Sequence, residues 1–396
     1  MKCLSQLKPN QLKNKTCLLR VDLNIEFEKK DAFRIQAILP TIEFLTQNGA
    51  KVIILSHRGR PKADSKFKIQ NSKFSLKPFA KIISELLKKP VHFIDFNIGK
   101  LGTSDVLKLM TSDVVNIKRS PSASIFLLEN LRFFSEEEKN DEQFAKKLAS
   151  LGDIYINDAF AVSHRANASV AAIAKFLPSY AGLILEKEIE NLNAAMTNFE
   201  KPLVIILGGA KVFDKVGLID NFSKKADNFL IGGAMANTFF AGQGLPMGNS
   251  LYEPKMLSLV GDLLTSVAPK LILPVDLVIH QKQILDIGPE TIKNYQKFIQ
   301  NANTIIWNGP LGFIENKKFA KGTQEIARAI LKNKNAKIII GGGETITALN
   351  KIDSRFKIQD SRFFLSTGGG AMMEYLAGKK LPGIAALKKT NFADGR

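Results

Sequence analysis

The sequence predicts an α/β protein of two similar-sized domains, each a parallel β-sheet flanked by helices, joined by a connecting helix and hinge. Three observations carry this. Strand-like and helix-like patterns alternate from one end of the chain to the other, as successive βα units do around parallel sheets. A length of 396 residues suffices for two cores. In the second half, five apolar runs end in glycine and each is followed by a helix-like stretch. Such turns lie where ligands of open α/β sheets bind, beyond the carboxyl ends of the strands.

In chain order, the first-half strands are read at 17–22 (CLLRVD), 51–57 (KVIILSH), 91–95 (VHFID), 124–130 (SIFLLEN) and 153–160 (DIYINDAF). Helical spacing of apolar residues marks the segments IQAILPTIEFLTQNGA and LKPFAKIISELLKK between them. Residues 183–198 (LILEKEIENLNAAMTN) read as a helix that ends shortly before Pro202 without an obvious following strand, which makes it the connector. The domains are therefore expected at 1–180 and 199–380. The glycine-ended runs are Pro202 to Lys211, Asn228 to Ala236, Thr304 to Gly312, Lys337 to Thr345 and Phe363 to Ala371. Glycine there lets backbone N–H groups approach a phosphate, and the next helix adds its N-terminal dipole. Five such turns on one sheet edge would form a phosphate-binding floor.

The strand ends of the first half offer polar side chains instead: Asp22 and Asn24, then His57, Arg58 and Arg60, then Arg132, then Asn157, Asp158, His164 and Arg165. Arginine suits carboxylate and phosphate because its planar fork donates parallel hydrogen bonds. One half thus reads as a site for a small, highly anionic molecule and the other as a nucleotide site, a pairing that suggests phosphoryl transfer between two bound substrates. No P-loop, no G-x-G-x-x-G turn and no protein-kinase H-R-D motif occurs, so the common NTPase and dinucleotide readings lose support. His92 and His280 stand without such company and read as structural.

Composition excludes several classes. With 45% hydrophobic residues the chain is an ordinary globular one, and no stretch is long and apolar enough to span a bilayer. The N-terminal MKCLSQLKPNQLKNK lacks the apolar core of a secretory signal. Cys3 and Cys17 have neither metal-ligand nor disulfide spacing, so reduced thiols and a cytoplasmic location are expected. The formal charge of +19 favours anionic partners. Yet the lysines are scattered, and only five tyrosines and one tryptophan are available beside the phenylalanines for base stacking. A solvated basic surface accounts for the charge better than nucleic-acid binding, which is kept as the minor alternative.

The stretches RVDLN, FRIQAILPTI, SHRGRP, FSLKPFA, LLENLRF, EEEKND, FAKKLASLGDIYINDAFAVSHRA, ILGGAKVFDK, WNGPLG, GGGET, STGGGA and LPGIAAL occur in this order. Over essentially its whole length the chain resembles the phosphoglycerate kinase family. The resemblance implies glycolytic, reversible transfer of the 1-phosphoryl group of 1,3-bisphosphoglycerate to ADP, giving 3-phosphoglycerate and ATP, with Mg2+. It places the acid substrate on Asp22, Asn24, Arg34, His57, Arg60, Arg132 and Arg165. The nucleotide falls to Lys211, Lys215, Gly232, Gly233, Asn308, Gly312, Glu315, Gly342, Gly343, Glu344 and Thr345. Arg34, Lys211 and the turn Gly368, Gly369 and Gly370 would act on the transferring group, with Glu344 as the side chain nearest the metal. The resemblance also implies that 381–396 returns to the first domain, and that the chain acts as a monomer without membrane partners.

That distribution is chemically reasonable. The acceptor oxygen belongs to a carboxylate, already ionised at neutral pH, so no strong general base is required; positioning and charge neutralisation remain. Several positions depart from the family pattern. Glu344 stands where aspartate is usual, Asn167 where a second histidine is, Ala234 where a glycine is, and Arg58 where leucine is. The segment after Asp276 is shorter than usual. A basic binding protein without activity is the competing class, separable by a coupled activity assay.

Overall fold

The structure, a computed structural model, describes residues 1–25, 33–61, 72–95, 120–352 and 360–388, without the side chains of 344 and 350–352. The chain divides into two compact units: Met1–Glu188 with Lys380–Arg396, and Ile189–Lys379. The connecting helix, Leu183–Thr197, contains the point of division.

In the first unit the strands are β1 (Thr16–Arg20), β2 (Lys51–Leu55), β3 (Val91–Ile94), β4 (Ile125–Leu128), β5 (Ile154–Asn157) and β6 (Ser179–Ala181). All pair in parallel in the order β3-β4-β2-β1-β5-β6. Central strands are buried along their whole length, which is why they read as unbroken apolar runs rather than alternating ones. Helices Phe33–Gln47 and Lys77–Leu87 pack on the sheet through Ile35, Ile38, Ile42, Phe79 and Ile83. Pro78 sits in the first turn of the second, where a missing N–H costs nothing, and Lys88 ends it in a left-handed conformation. The helix Pro382–Lys388 lies with this unit, Gly383 donating its amide to the Ser163 carbonyl; residues 389–396 lie outside the described residues.

Strands end earlier than the sequence runs suggest, for a specific reason. Beyond β2, Ser56 leaves the ladder and its hydroxyl bridges Val21 and Leu23. The residues expected to prolong β1 and β2 thus become side-chain-bonded loops.

The second unit holds β7 (Leu203–Leu207), β8 (Asn228–Ile231), β9 (Leu271–Ile272), β10 (Leu277–His280), β11 (Gln283–Ile287), β12 (Thr304–Asn308), β13 (Lys337–Gly341) and β14 (Phe363–Ser366). Six of these form a parallel sheet in the order β14-β13-β12-β7-β8-β9. All five glycine-ended runs therefore do finish on neighbouring strands of one sheet edge. The third is not followed directly by a helix: after Gly309 the chain makes a loop, and helix Lys321–Lys332 starts later. The shortened segment after Asp276 is an antiparallel hairpin, β10–β11, turned by Gln281 and Lys282, both at positive φ.

Asp286, at the end of β11, is buried and caps helix Lys321–Lys332 by accepting the Gly322 amide at 2.8 Å. Burial raises its carboxyl to about 6, against the opposing pull of the Gly322 and Ile287 amides. A carboxyl raised above its unfolded value of 3.8 is most favourable while protonated, so its contribution to stability falls as pH rises through about 6. Between pH 5 and 7.5, urea unfolding should show the wild type losing about 1 kcal/mol relative to Asp286→Asn, which does not titrate. A constant difference between the two proteins would contradict this.

Candidate active site

The four central strands of the first unit, β4, β2, β1 and β5, present their carboxyl ends side by side, and hydrogen bonds lock the loops that follow. Asn24 Oδ1 accepts the Gly59 amide at 2.8 Å. Asn130 accepts the Arg58 amide at 3.1 Å and donates to the Arg58 carbonyl at 2.7 Å. Arg132 Nη1 donates to the Gly59 carbonyl at 2.7 Å. Gly59 has φ +60°, and a Cβ there would meet the Phe74 ring at 2.4 Å, so this turn admits no other residue.

Charged groups converge on these loops. Asp22 is buried and holds Arg34 Nη1 at 2.9 Å, with His57 Nδ1 at 4.0 Å. Burial alone would raise the Asp22 carboxyl, but Arg34 first, then His57 and the Asn24 amide, bring it below its usual value. His57 is 1% exposed, and burial followed by Arg20 pushes it well below the normal imidazole value. Arg132 and Arg165 add to that effect, and burial followed by Arg165 lowers Arg132 itself. Glu138 lies 3.4 Å from Arg132 Nε without completing a hydrogen bond. Arg165 donates to His164 at 3.1 Å. Of the expected acid-site residues, Asp22, Arg34, His57, Arg132 and Arg165 thus come together, Asn24 braces them, and Arg60 is exposed beside them. Arg58 carries its charge toward Phe79, its guanidinium carbon 5.6 Å from the ring centroid. Asn167 is buried.

Arg20 was not anticipated from sequence, although a charged residue ending an apolar strand was the available signal. It is 1% exposed at the end of β1. Nor were its supports, Ser169 and Glu137, which lie far along the chain.

The glycine turns of the second unit differ in what surrounds them. A Cβ on Gly208 would lie 2.1 Å from the Pro310 carbonyl oxygen, one on Gly232 2.6 Å from Leu311, and one on Gly312 2.2 Å from Asp286. Gly233, at φ +61°, abuts Gly209 and Pro310. These glycines let the loops after β7, β8 and β12 pack on one another. By contrast, nothing lies within 4 Å of a Cβ built on Gly343, Gly369 or Gly370. Only the turns after β13 and β14 leave open glycine backbone, at the starts of helices Gly343–Ile352 and Gly370–Leu376. Gly368 is buried and its amide donates to Ser366 Oγ at 3.0 Å.

Around these turns, Lys211 is exposed whereas Lys215 is buried, its Nζ donating to the Lys211 carbonyl at 3.1 Å. Glu253 accepts the Val212 amide at 2.5 Å and caps the start of helix Phe213–Phe222. The Val212 and Phe213 amides at the start of that helix are therefore already engaged. Thr345 is fully buried, and its hydroxyl accepts the Gly309 amide at 3.0 Å, tying the loop after β12 to helix Gly343–Ile352. Asn308 is buried, with Nδ2 3.3 Å from a Cβ built on Gly342. Glu315 is exposed. The Glu344 side chain lies outside the described residues, and among the described residues no group of three His, Cys, Asp or Glu stands together as a cage for a metal ion. No helix among the described residues is long and apolar enough to cross a membrane.

A cluster of arginines at the strand ends of one parallel sheet and open glycine turns on another define a two-domain α/β phosphotransferase. The sequence model described as "Phosphoglycerate kinase" matches residues 7–379. The phosphoglycerate kinase of Dictyoglomus turgidum is 41% identical over 412 residues, covering 98% of this chain and 99% of that protein. That of Finegoldia magna is 43% identical over 404 residues, covering 96% and 97%. The crystal structure of phosphoglycerate kinase from Pyrococcus horikoshii OT3 superimposes with a TM-score of 0.81 at 31% identity, and the structure from Coxiella burnetii with 0.77 at 36%, each covering 98% of both chains. The chain belongs to the phosphoglycerate kinase family.

Proposed function

We infer that this chain is a glycolytic kinase that reversibly transfers the 1-phosphoryl group of 1,3-bisphosphoglycerate to ADP, by direct in-line transfer after hinge closure. The observation that carries the reading is the convergence of Arg34, His57, Arg132 and Arg165 on adjacent strand ends of one unit, in a family whose members bear that name. In this reading residues 1–180 with 381–396 bind the acid substrate, 199–380 bind ADP or ATP, and 183–198 connect them. The acid's phosphate and carboxylate oxygens pair with Arg34, Arg60, Arg132 and Arg165, while Asp22 and Asn24 fix the loop and His57 donates to the substrate.

On the nucleotide side, the open backbone at Gly343, Gly369 and Gly370 receives phosphate oxygens, with Gly342 and Gly368 shaping the two turns that present it. Lys211 meets the transferring group, with Lys215 behind it. Gly232, Gly233, Asn308, Gly312 and Thr345 shape the pocket walls, and Glu315 reaches the ribose. Mg2+ enters as the nucleotide complex, its oxygen ligands supplied chiefly by phosphates and water, with Glu344 the one side chain assigned to it. The 3-phosphoglycerate carboxylate is ionised at neutral pH and needs no proton removed, so Arg34 and Lys211 act by neutralising charge as the phosphoryl group moves. The protein works as a monomer in the cytoplasm.

A coupled assay that follows 1,3-bisphosphoglycerate formation from ATP and 3-phosphoglycerate tests the reaction, with turnover expected and its complete absence sufficient to reject it. Solution scattering tests closure: the radius of gyration should fall when both substrates are added and stay constant with either alone.

A further inference from the structure

The buried Arg20 guanidinium has a protein partner at each of its three nitrogens. Nε donates to Ser169 Oγ at 2.8 Å, Nη1 donates to the Val21 carbonyl, and Nη2 lies 3.2 Å from His57 Nδ1. Arginine has only donors. The contact with His57 must therefore be an N–H given to a lone pair on Nδ1, and a neutral imidazole with that lone pair carries its proton on Nε2. His57 Nε2 is buried and has no hydrogen-bond partner among the described residues. One unused N–H donor is thus held where Arg132 and Arg165 act on the same ring, with Asp22 and its partner Arg34 on the Nδ1 side.

We propose that Arg20 is a positioning residue for the acid site: it fixes His57 as the neutral Nε2–H tautomer, so that the imidazole donates to an anionic oxygen of the substrate. This rests on the phosphoglycerate reading of the site. The opposite tautomer would turn a lone pair toward an anion and be repelled. The imidazolium would set an Nδ1–H against the Arg20 N–H and a second positive charge beside the guanidinium. Arg20 is itself held from behind. Ser169 gives its hydroxyl to Glu137 Oε1 at 2.6 Å and its amide to Oε2 at 2.9 Å, and Tyr155 gives its hydroxyl to the Ser169 carbonyl at 2.8 Å. Glu137, fully buried, is the counter-charge reached through that serine. The chain Glu137–Ser169–Arg20–His57 orients one ring without Arg20 contacting the substrate.

The test uses the full-length protein labelled with 15N-histidine. It has four histidines, so His57→Gln identifies the resonance by subtraction. Long-range 1H–15N correlation should report a protonated Nε2 and an unprotonated Nδ1 for His57 from pH 8 down to 5.5. In the double variant Arg20→Gln/Glu137→Gln, which removes the guanidinium and its buried counter-charge together, the ring should become a mixture of tautomers. KM for 3-phosphoglycerate should rise about tenfold, the loss of one hydrogen bond to a charged group. KM for ATP and kcat should stay within about twofold of wild type. A wild-type spectrum with Nδ1–H or an imidazolium overturns the role of Arg20, and it decides the matter even if the variant does not fold. So does a variant whose tautomer is unchanged, or one in which both KM values rise in step with a lowered Tm. An Nε2–H signature in a protein without activity on 3-phosphoglycerate would instead overturn the substrate half of the proposal and the reading beneath it.

Discussion

Arg34→Ala should lower kcat about 10³-fold while KM for ATP stays within about twofold, because in the proposed reaction the interaction lost is made chiefly with the moving phosphoryl group. Asp22 holds the Arg34 guanidinium at 2.9 Å, and the side chain keeps 25% of its surface exposed. One edge of the fork is thus fixed in the protein while part of the group faces solvent, the arrangement a preoriented cation requires. Arg34→Lys keeps the charge but not the planar fork, so it should recover only part of the rate. Lys211→Ala, which removes the second cation assigned to the transferring group in the proposed reading, should also act on kcat, and the double variant should lose less than the product of the two effects. Asp22 gives an internal control. Its carboxyl is held below the usual value chiefly by Arg34 against burial, so it contributes stability above its unfolded value of 3.8 and loses it as pH falls further. Arg34→Ala should therefore also lower Tm at pH 7. Initial rates with both substrates varied, beside a melting curve, separate the two effects, and a variant retaining more than a tenth of wild-type kcat would remove Arg34 from the chemistry.

The sheets could be read from the chain because their strands are buried on both faces: LVIIL, TIIWN and KIIIG each hold an apolar run of three or more residues, with glycine closing the strand or following it directly. The shortest edge strands, Ser179–Ala181 and Leu271–Ile272, carry too few residues to show any period. The hairpin after Asp276 turns through Gln281 and Lys282, neither of which signals a left-handed turn. At the site, the polar strand ends announced themselves because arginine in an apolar run must have a partner. Which glycines are open could not be read, since Gly232 and Gly343 look alike until Leu311 is seen against the first. The same holds for Lys215 and Lys211, four residues apart: one is buried and bonds back to the other's carbonyl. Arg20 stayed hidden because its meaning depends on Ser169 and Glu137, which only the tertiary fold brings to β1.

Glu137→Ala should be the most destabilising single change outside the apolar core, costing about 3–5 kcal/mol and lowering Tm by roughly 10 °C. Glu137 is fully buried and accepts both the Ser169 hydroxyl and its amide. Removing it leaves the Arg20 guanidinium, 1% exposed, without the counter-charge relayed through that serine. An uncompensated buried charge costs far more than the intact pair contributes, so the loss should be largely reversed when the arginine is removed as well. Arg20→Met/Glu137→Met, which fills similar volume with apolar atoms, should melt within a few degrees of wild type. Urea and thermal unfolding of the three proteins at pH 7.5 measure this directly. A single-variant loss under about 1 kcal/mol would mean that Arg20 draws its compensation elsewhere. If the apolar double variant is stable yet binds 3-phosphoglycerate weakly with ATP binding unchanged, the buried pair is retained for the orientation of His57 and not for the stability of the fold.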